Sequence, residues 1–412
     1  MQPTPELGEA IDRRLQQLAS ISSSPDHLTR LAFTPEMARA NTLVEGWMRD
    51  AGMTTRLDAA GNLIGRYDGD RPGLPALVLG SHLDTVENAG RFDGMLGVVT
   101  AILCVEQFNN RSYRFPFAIE VVAFGDEEGV RFGTSVLGSL AFSGSVSRER
   151  LALRDGGGQT VEAAIGAFGH DSASLYLAAR KKDDVLAYVE VHIEQGPVLE
   201  TQDAPVACVS GIFGSTRLSM EISGYAGHAG TTPMAMRRDA LAGAAEMILA
   251  TETLAQAHGV VATVGKISAL PSAINVIPDL VRFTIDARAL KDEDRADYLG
   301  ALRGQIGEIA ARRSLSVSET ILSEGSSAPC AEWLQNQIRS AIERKGLSPV
   351  TIPSGAGHDG AMLTSLTDFG MIFVRCRGGV SHHPDEFASH SDMAAAADVL
   401  YDFVANFKGE DG

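Results

Sequence analysis

Histidine and carboxylate side chains gather in this sequence wherever an apolar run gives out. Ala76-Leu77-Val78-Leu79-Gly80 leads into Ser81-His82-Leu83-Asp84-Thr85 and then Arg91-Phe92-Asp93-Gly94. Phe117 to Phe124 leads into Gly125-Asp126-Glu127-Glu128-Gly129, Leu186 to Val191 into His192-Ile193-Glu194-Gln195-Gly196, and Met371 to Arg375 into Ser381-His382-His383-Pro384. Short apolar runs of this kind predict buried strands, and in open α/β sheets active sites lie just outside the carboxyl ends of the strands. Four such ends carrying His, Asp and Glu, with no cysteine ligand pattern, predict a hydrolytic metal centre.

The donor types narrow the chemistry. His82, His192 and His382 offer imidazole nitrogen, and Asp93 and Glu128 offer carboxylate oxygen; mixed nitrogen and oxygen donors suit zinc, manganese, cobalt or nickel. These are more donors than one tetrahedral ion takes, but they suffice for two divalent ions with a carboxylate and a water between them. Singly, each histidine has a plainer use in an ordinary surface or supporting hydrogen bond, and adjacent acids such as Glu127 and Glu128 are most often a solvated turn. Position argues otherwise: a loop leaving a buried strand brings one carboxylate to the metal and leaves the other free as a general base. Asp84, two residues beyond His82, suits the role of holding a ligand imidazole through its second nitrogen.

The elements that must position these groups follow from periodicity. Leu7, Ile11, Leu15 and Leu18 recur at helical spacing, and 35–51 continues in that manner, which predicts an amino-terminal helical layer. From Asn62 short apolar strands alternate with helical stretches such as 95–108, the α/β pattern. The segment 136–184 reads as helices and loops broken at Asp155-Gly156-Gly157-Gly158. Between 211 and 323 the grammar changes: strands over 216–223, 260–268, 280–287 and 315–322 frame helices over 234–257 and 292–313. That order, β-α-β-β-α-β, is a two-layer ferredoxin-like unit. The fold class expected is α/β, with a mixed, largely parallel sheet covered by helices on both faces and this unit inserted. A discontinuous catalytic domain would span 1–210 and 324–412, and an inserted lid or dimerisation domain 211–323.

Composition sets outer bounds. At 412 residues the chain exceeds what one core usually serves, so two domains are the default. A formal net charge of -17 opposes binding to phosphate backbones, so no nucleic-acid partner is expected. The start, Met1-Gln2-Pro3-Thr4-Pro5-Glu6, lacks the cationic and apolar regions of a secretory leader, and no apolar stretch spans a bilayer. Cys104, Cys208, Cys330 and Cys376 are scattered and form no Cys-x-x-Cys pair, which suits free thiols in a reducing cytoplasm without membrane attachment.

The ligand-type segments above, with Gly227-His228-Ala229-Gly230-Thr231-Thr232-Pro233-Met234, Asn275-Val276-Ile277-Pro278 and Ser354-Gly355-Ala356-Gly357-His358-Asp359, resemble the hydantoinase/carbamoylase branch of the dinuclear-metal amidohydrolases over essentially the whole chain. The resemblance implies metal ligands at His82, Asp93, Glu128, His192 and His382, with Asp93 bridging, and Glu127 as catalytic base. It also implies substrate contacts at Gln195, His228, Asn275, Arg288 and Arg217, and a homodimer in which the inserted domain lends His228 to the partner's site. An arginine and an asparagine can grip a substrate carboxylate, while an imidazole and an amide can serve an oxyanion. The plainer uses are pairing of Arg288 with Asp286 or Asp239, a turn cap at Asn275, and backbone satisfaction by Gln195. His383 stands where the family has Ser or Asn, offering a second imidazole beside His382; register selects His382. His358 carries no assigned role.

The activity so implied is hydrolysis of a ureido C–N bond in a small carboxylic acid: an N-carbamoyl-L-amino acid, allantoate or ureidoglycolate, with release of ammonia. Two alternatives stand beside it: a peptidase or N-acyl-amino acid deacylase using the same metals, and a metal-binding protein without catalysis.

Overall fold

A computed structural model describes residues 5–410. The opening Met1–Thr4, part of the stretch searched for a leader, lie outside the described residues. The chain divides into two compact units, one formed by Met1–Gly211 with Cys330–Gly412 and the other by Ile212–Pro329.

The larger unit is built on one mixed sheet. Its longer strands are β1 (Thr54–Leu57), β2 (Leu63–Tyr67), β3 (Ala76–His82), β4 (Ala118–Phe124), β5 (Val185–Ile193), β6 (Val206–Ile212), β7 (Thr351–Ser354) and β8 (Phe369–Val374). They lie in the order β1-β2-β4-β3-β5-β8-β6, with β7 also on β6. The central four, β4, β3, β5 and β8, run parallel, so their carboxyl ends share one edge. Antiparallel strands flank them on both sides.

Every residue of β3 and β4 is buried, which is why both read as unbroken apolar runs: a parallel strand covered on two faces hides its period of two. The period still decides where side chains go. Ala187, Val189, Val191 and Ile193 of β5 join Leu77 and Leu79 of β3 and Ile119, Val121 and Ala123 of β4 in the main core, packed with the helix Met95–Asn110. The alternate residues Tyr188, Glu190 and His192, with His82 and Phe124, face the other way. There Phe124 meets Phe142 of the short helix Leu137–Phe142 and also Tyr188. The sheet is therefore covered on both faces, as expected.

In the smaller unit, strands Gly214–Ser223, Leu280–Ala289 and Ser316–Gly325 pair antiparallel. Helices Ala240–His258 and Asp292–Arg313 bury one face, where Leu218, Met220, Ile222, Val281, Phe283 and Ile285 pack against Met247, Tyr298 and Leu302. The β-α-β-β-α-β order is as read from the sequence, with two corrections. The helix expected from Met234 begins at Ala240, because the Asp239 carboxylate accepts from the N–H groups of Leu241 and Ala242 and fixes the start there. The strand expected over 260–268 is two, Val261–Thr263 and Ile267–Leu270, both on the edge of Leu280–Ala289. A two-residue ribbon, Gly227–His228 against Val276–Ile277, was not foreseen. Among the described residues no helix is long and apolar enough to cross a membrane.

Candidate metal centre

His82 is the last residue of β3 and His192 the last but one of β5; on adjacent parallel strands and the same face, their rings lie 5.9 Å apart. Each ring is oriented by main chain. His82 Nδ1 meets the Asp84 carbonyl at 3.0 Å, and His192 Nδ1 the Ile193 carbonyl at 2.9 Å. Both Nε2 atoms then turn to one carboxylate oxygen, Asp93 Oδ1, at 3.5 Å from His82 and 3.1 Å from His192. Asp93 reaches this point because Gly94 turns the chain at φ +64, and a Cβ on Gly94 would lie 2.4 Å from the His82 ring.

The second oxygen of Asp93 serves a different histidine. His382 Nε2 lies 3.3 Å from Asp93 Oδ2 and 3.7 Å from Glu128 Oε2. His383 faces outward, half exposed, with Asp385 at 3.6 Å. Two three-residue sets thus share Asp93: His82, Asp93 and His192, and Asp93, Glu128 and His382, each with ligand atoms within 4.8 Å of one another. Two overlapping groups, His82-Glu127-Glu128 and Glu190-His192-His358, draw on the same side chains. Glu190 is already engaged by the hydroxyls of Ser81 and Tyr188. His358, left without a role above, pairs through Nε2 with Ser354 Oγ at 2.8 Å and packs its ring edge-on to His192.

The Glu127-Glu128 turn follows β4 and is held by Asp84. The Asp84 carboxylate accepts from the N–H groups of Glu127 and Glu128, at 3.1 Å each, and lies 3.8 Å from His82 Nδ1. Asp84 thus meets the second nitrogen of His82 through its carbonyl, because two amide donors already claim the carboxylate. Glu127 Oε2 stands 3.8 Å from His82 Nε2. Non-glycine residues with positive φ occur at Asp126, Gln195 and His382, so three of the loops around Asp93 carry backbone strain.

The electrostatics match a cation-binding well. Burial and the neighbouring Asp359 and Glu128 hold the Glu127 carboxyl well above the usual range despite His82. Burial, with Asp93 beside it, lifts Glu128 to about 7. Burial would raise Asp93, yet His192, His382 and His82 keep it well below the ordinary carboxylate value. The Asp93 contact raises His382 to about 9. Buried behind the site, the Asp359 carboxyl is lifted to about 8 by burial beside Glu190. So many carboxylates out of water call for compensating positive charge, and the nitrogen and oxygen donors suit divalent transition ions.

Of the residues expected to touch substrate, Gln195 lies beside Asp93. Its Nε2 donates to Asp93 Oδ2 at 2.8 Å and to Ser381 Oγ at 3.1 Å. The other four lie in the smaller unit, in two groups. His228 and Asn275 meet across the ribbon, where the Asn275 carbonyl accepts from Ala229 N–H. His228 is exposed, and its Nδ1 accepts from Gly230 N–H at 3.0 Å, which in the neutral ring leaves the proton on Nε2. Arg217 and Arg288 share Asp286 on the helix-free face of the sheet, Arg288 through two bonds of 2.9 Å and Arg217 through one of 3.1 Å. Sequence reasoning missed Arg237, which holds the His228 loop through the carbonyls of Ala229 and Thr232, and Glu386, whose carboxylate accepts from the N–H groups of Phe92 and Asp93.

Residues 78–406 match the family described as Peptidase family M20/M25/M40. The chain belongs to that family. The M20 chain is 43% identical over 399 residues to N-carbamoyl-L-amino acid amidohydrolase of Geobacillus stearothermophilus, covering 96% of this chain and 98% of that one. It is 39% identical over 424 residues to allantoate deiminase of Arabidopsis thaliana, covering 95% and 81%. A crystal structure of an amidase of the hydantoinase/carbamoylase family from Burkholderia multivorans superposes with a TM-score of 0.90 at 32% identity, covering 96% of each chain. The resemblance drawn from the motifs is thereby borne out, and so is the mixed α/β architecture.

Proposed function

We propose that this M20-family enzyme is an amidohydrolase that cleaves the C–N bond of a ureido group in a small carboxylic acid and releases ammonia. N-Carbamoyl-L-amino acids, allantoate and ureidoglycolate are the substrate class. The observation that carries the reading is Asp93, with one oxygen toward His82 and His192 and the other toward His382, beside an uncommitted Glu127 carboxylate. The activities named for relatives aligned along nearly the whole chain support it.

His82, Asp93 and His192 would hold one divalent ion, and Asp93, Glu128 and His382 a second; zinc, manganese, cobalt and nickel all accept such donors. When bound, such a pair lowers the pKa of water and polarises a carbonyl oxygen. Glu127 removes the proton from the attacking water and delivers it to the departing nitrogen. Asp84 keeps the Glu127 main chain still during both transfers. Gln195 offers its amide to the ureido group, and His228 donates from Nε2 to the developing oxyanion. Arg288, Arg217 and Asn275 grip the substrate carboxylate. For a carbamoyl substrate the products are ammonia, carbon dioxide and the free amino acid. The inserted unit acts as lid and as the contact of a homodimer. Four buried free cysteines support a reducing, cytoplasmic setting.

The test is ammonia release from N-carbamoyl-L-amino acids, allantoate and ureidoglycolate, run beside dipeptides and N-acetyl amino acids after loading with each metal in turn. Turnover of at least one ureido acid in preference to the others is the expected result. Cleavage confined to dipeptides or N-acetyl amino acids would replace this reading with a peptidase or deacylase, and full metal content without turnover would leave a binding protein.

A further inference from the structure

We propose that Glu386 is the positioning residue of this centre: it ties the Phe92-Asp93 turn to the Ser381-His382 loop and thereby fixes the carboxylate that both ion sites share. The inference rests on the reading of the site as a metal centre. Glu386 is 3% exposed. One oxygen, Oε1, accepts from the N–H of Phe92 at 2.8 Å and of Asp93 at 3.0 Å, across 293 residues of sequence in the latter case. The other, Oε2, lies 3.0 Å from Ser381 Oγ, and that hydroxyl also lies 2.9 Å from Asp93 Oδ2. Glu386 thus holds Asp93 directly through its main chain, and its second oxygen stands at the Ser381 hydroxyl, whose single proton lies between the Glu386 and Asp93 carboxylates.

The surroundings are shaped for this contact. A Cβ on Gly90 would lie 2.3 Å from both Cβ and Oε1 of Glu386, so only glycine lets the carboxylate approach. The Glu386 N–H donates to the His383 carbonyl at 3.0 Å, which turns the His382 loop back on itself. Because Asp93 belongs to both ligand sets, a shift of its carboxylate removes a donor from each. Glu386 therefore governs two ions, whereas His382 governs one.

The distinction can be measured by titrating zinc against a chromophoric chelator, with circular dichroism of the zinc-free chain recorded alongside. Glu386→Ala and Gly90→Ala should weaken both binding steps by about 10–100-fold. Glu386→Gln, which keeps the Oε1 acceptor, should weaken them less. His382→Ala should weaken one step only, and Asp385→Asn, on the exposed side of the same loop, neither. Unchanged zinc affinity in Glu386→Ala, or loss of a single step, overturns the proposal; if that variant fails to fold, Gly90→Ala and Glu386→Gln decide by the same criterion. The readout is independent of turnover. A wild-type chain inert toward ureido acids would refute the activity while leaving the two-step zinc loss intact, and unaltered zinc binding in an active enzyme would refute the role of Glu386 alone.

Discussion

Asp84 addresses His82 through its carbonyl oxygen, 3.0 Å from Nδ1, and addresses the Glu127-Glu128 turn through its carboxylate. One residue thus fixes an imidazole on β3 and two glutamates after β4. With Nδ1 held by a carbonyl, His82 turns Nε2 toward the Asp93 and Glu127 carboxylates, which is the nitrogen a metal would meet.

Asp84→Asn leaves one carboxamide oxygen for two amide donors and sets an NH2 against the other. A hydrogen bond to a charged acceptor contributes roughly 1.5–3 kcal/mol. Steady-state kinetics should show kcat reduced about 10–100-fold with KM little altered, since substrate contacts are untouched. A change confined to KM would contradict the placement of Asp84.

Glu127→Gln removes the base while preserving volume. Loss of a general base typically lowers turnover about 10²–10⁴-fold, and metal content measured by elemental analysis should stay at the wild-type level. Activity retained in this variant would remove Glu127 from the mechanism.

Stripping the metal should lower thermal stability, because an ion bound only by the folded chain stabilises it by mass action, about 4 kcal/mol at a thousandfold excess over its Kd. The stripped chain should also lose stability as pH rises. Burial holds Glu128 at about 7 and Asp359 at about 8, both above the unfolded values near 4, so the folded chain binds more protons and the loss runs from about pH 4 to these values. Melting curves at several pH values, with and without metal, test both statements; a stripped chain that grows more stable from pH 5 to 8 would contradict them.

Glu120 on β4 predicts the opposite slope. Burial would raise its carboxyl, but Arg180 at 2.5 Å and Arg66 at 3.0 Å bring it below the ordinary value. Its contribution is complete above the unfolded pKa near 4.3 and is lost as pH falls through the folded one. Glu120→Gln should cost about 3–5 kcal/mol at neutral pH by leaving the arginines without a buried partner, and should flatten the acid limb of the stability curve measured by denaturant unfolding.

The ligand segments were legible because parallel strands covered on both faces spell continuous apolar runs, and Ala76 to Leu79 or Ala118 to Phe124 end abruptly where donors begin. Helix Asp292–Arg313 was legible in full, with three acids in its first turn and two arginines in its last. The start of helix Ala240–His258 was not, since the apolar spacing runs on through Met234 and only the Asp239 cap breaks it. Glu386 was invisible for a different reason: the donors that tie it to the Phe92-Asp93 turn are main-chain amides, and amides leave no trace in a list of side chains. Asp84 was half legible: its place at the second nitrogen of His82 follows from spacing, whereas its carboxylate serves two main-chain amides that no spacing reveals.

The position of β8 between β5 and β6 has a consequence for biogenesis. Those two neighbours leave the ribosome before the inserted unit, and β8 follows only after it. For on the order of ten seconds at ordinary rates of synthesis, the nascent sheet ends at an unpaired edge of β5, the kind of surface that recruits stray chains. The last central strand covers that edge and brings the His382 loop in the same stroke, so a polypeptide halted before residue 369 would be sticky and would leave the Asp93-Glu128-His382 set incomplete.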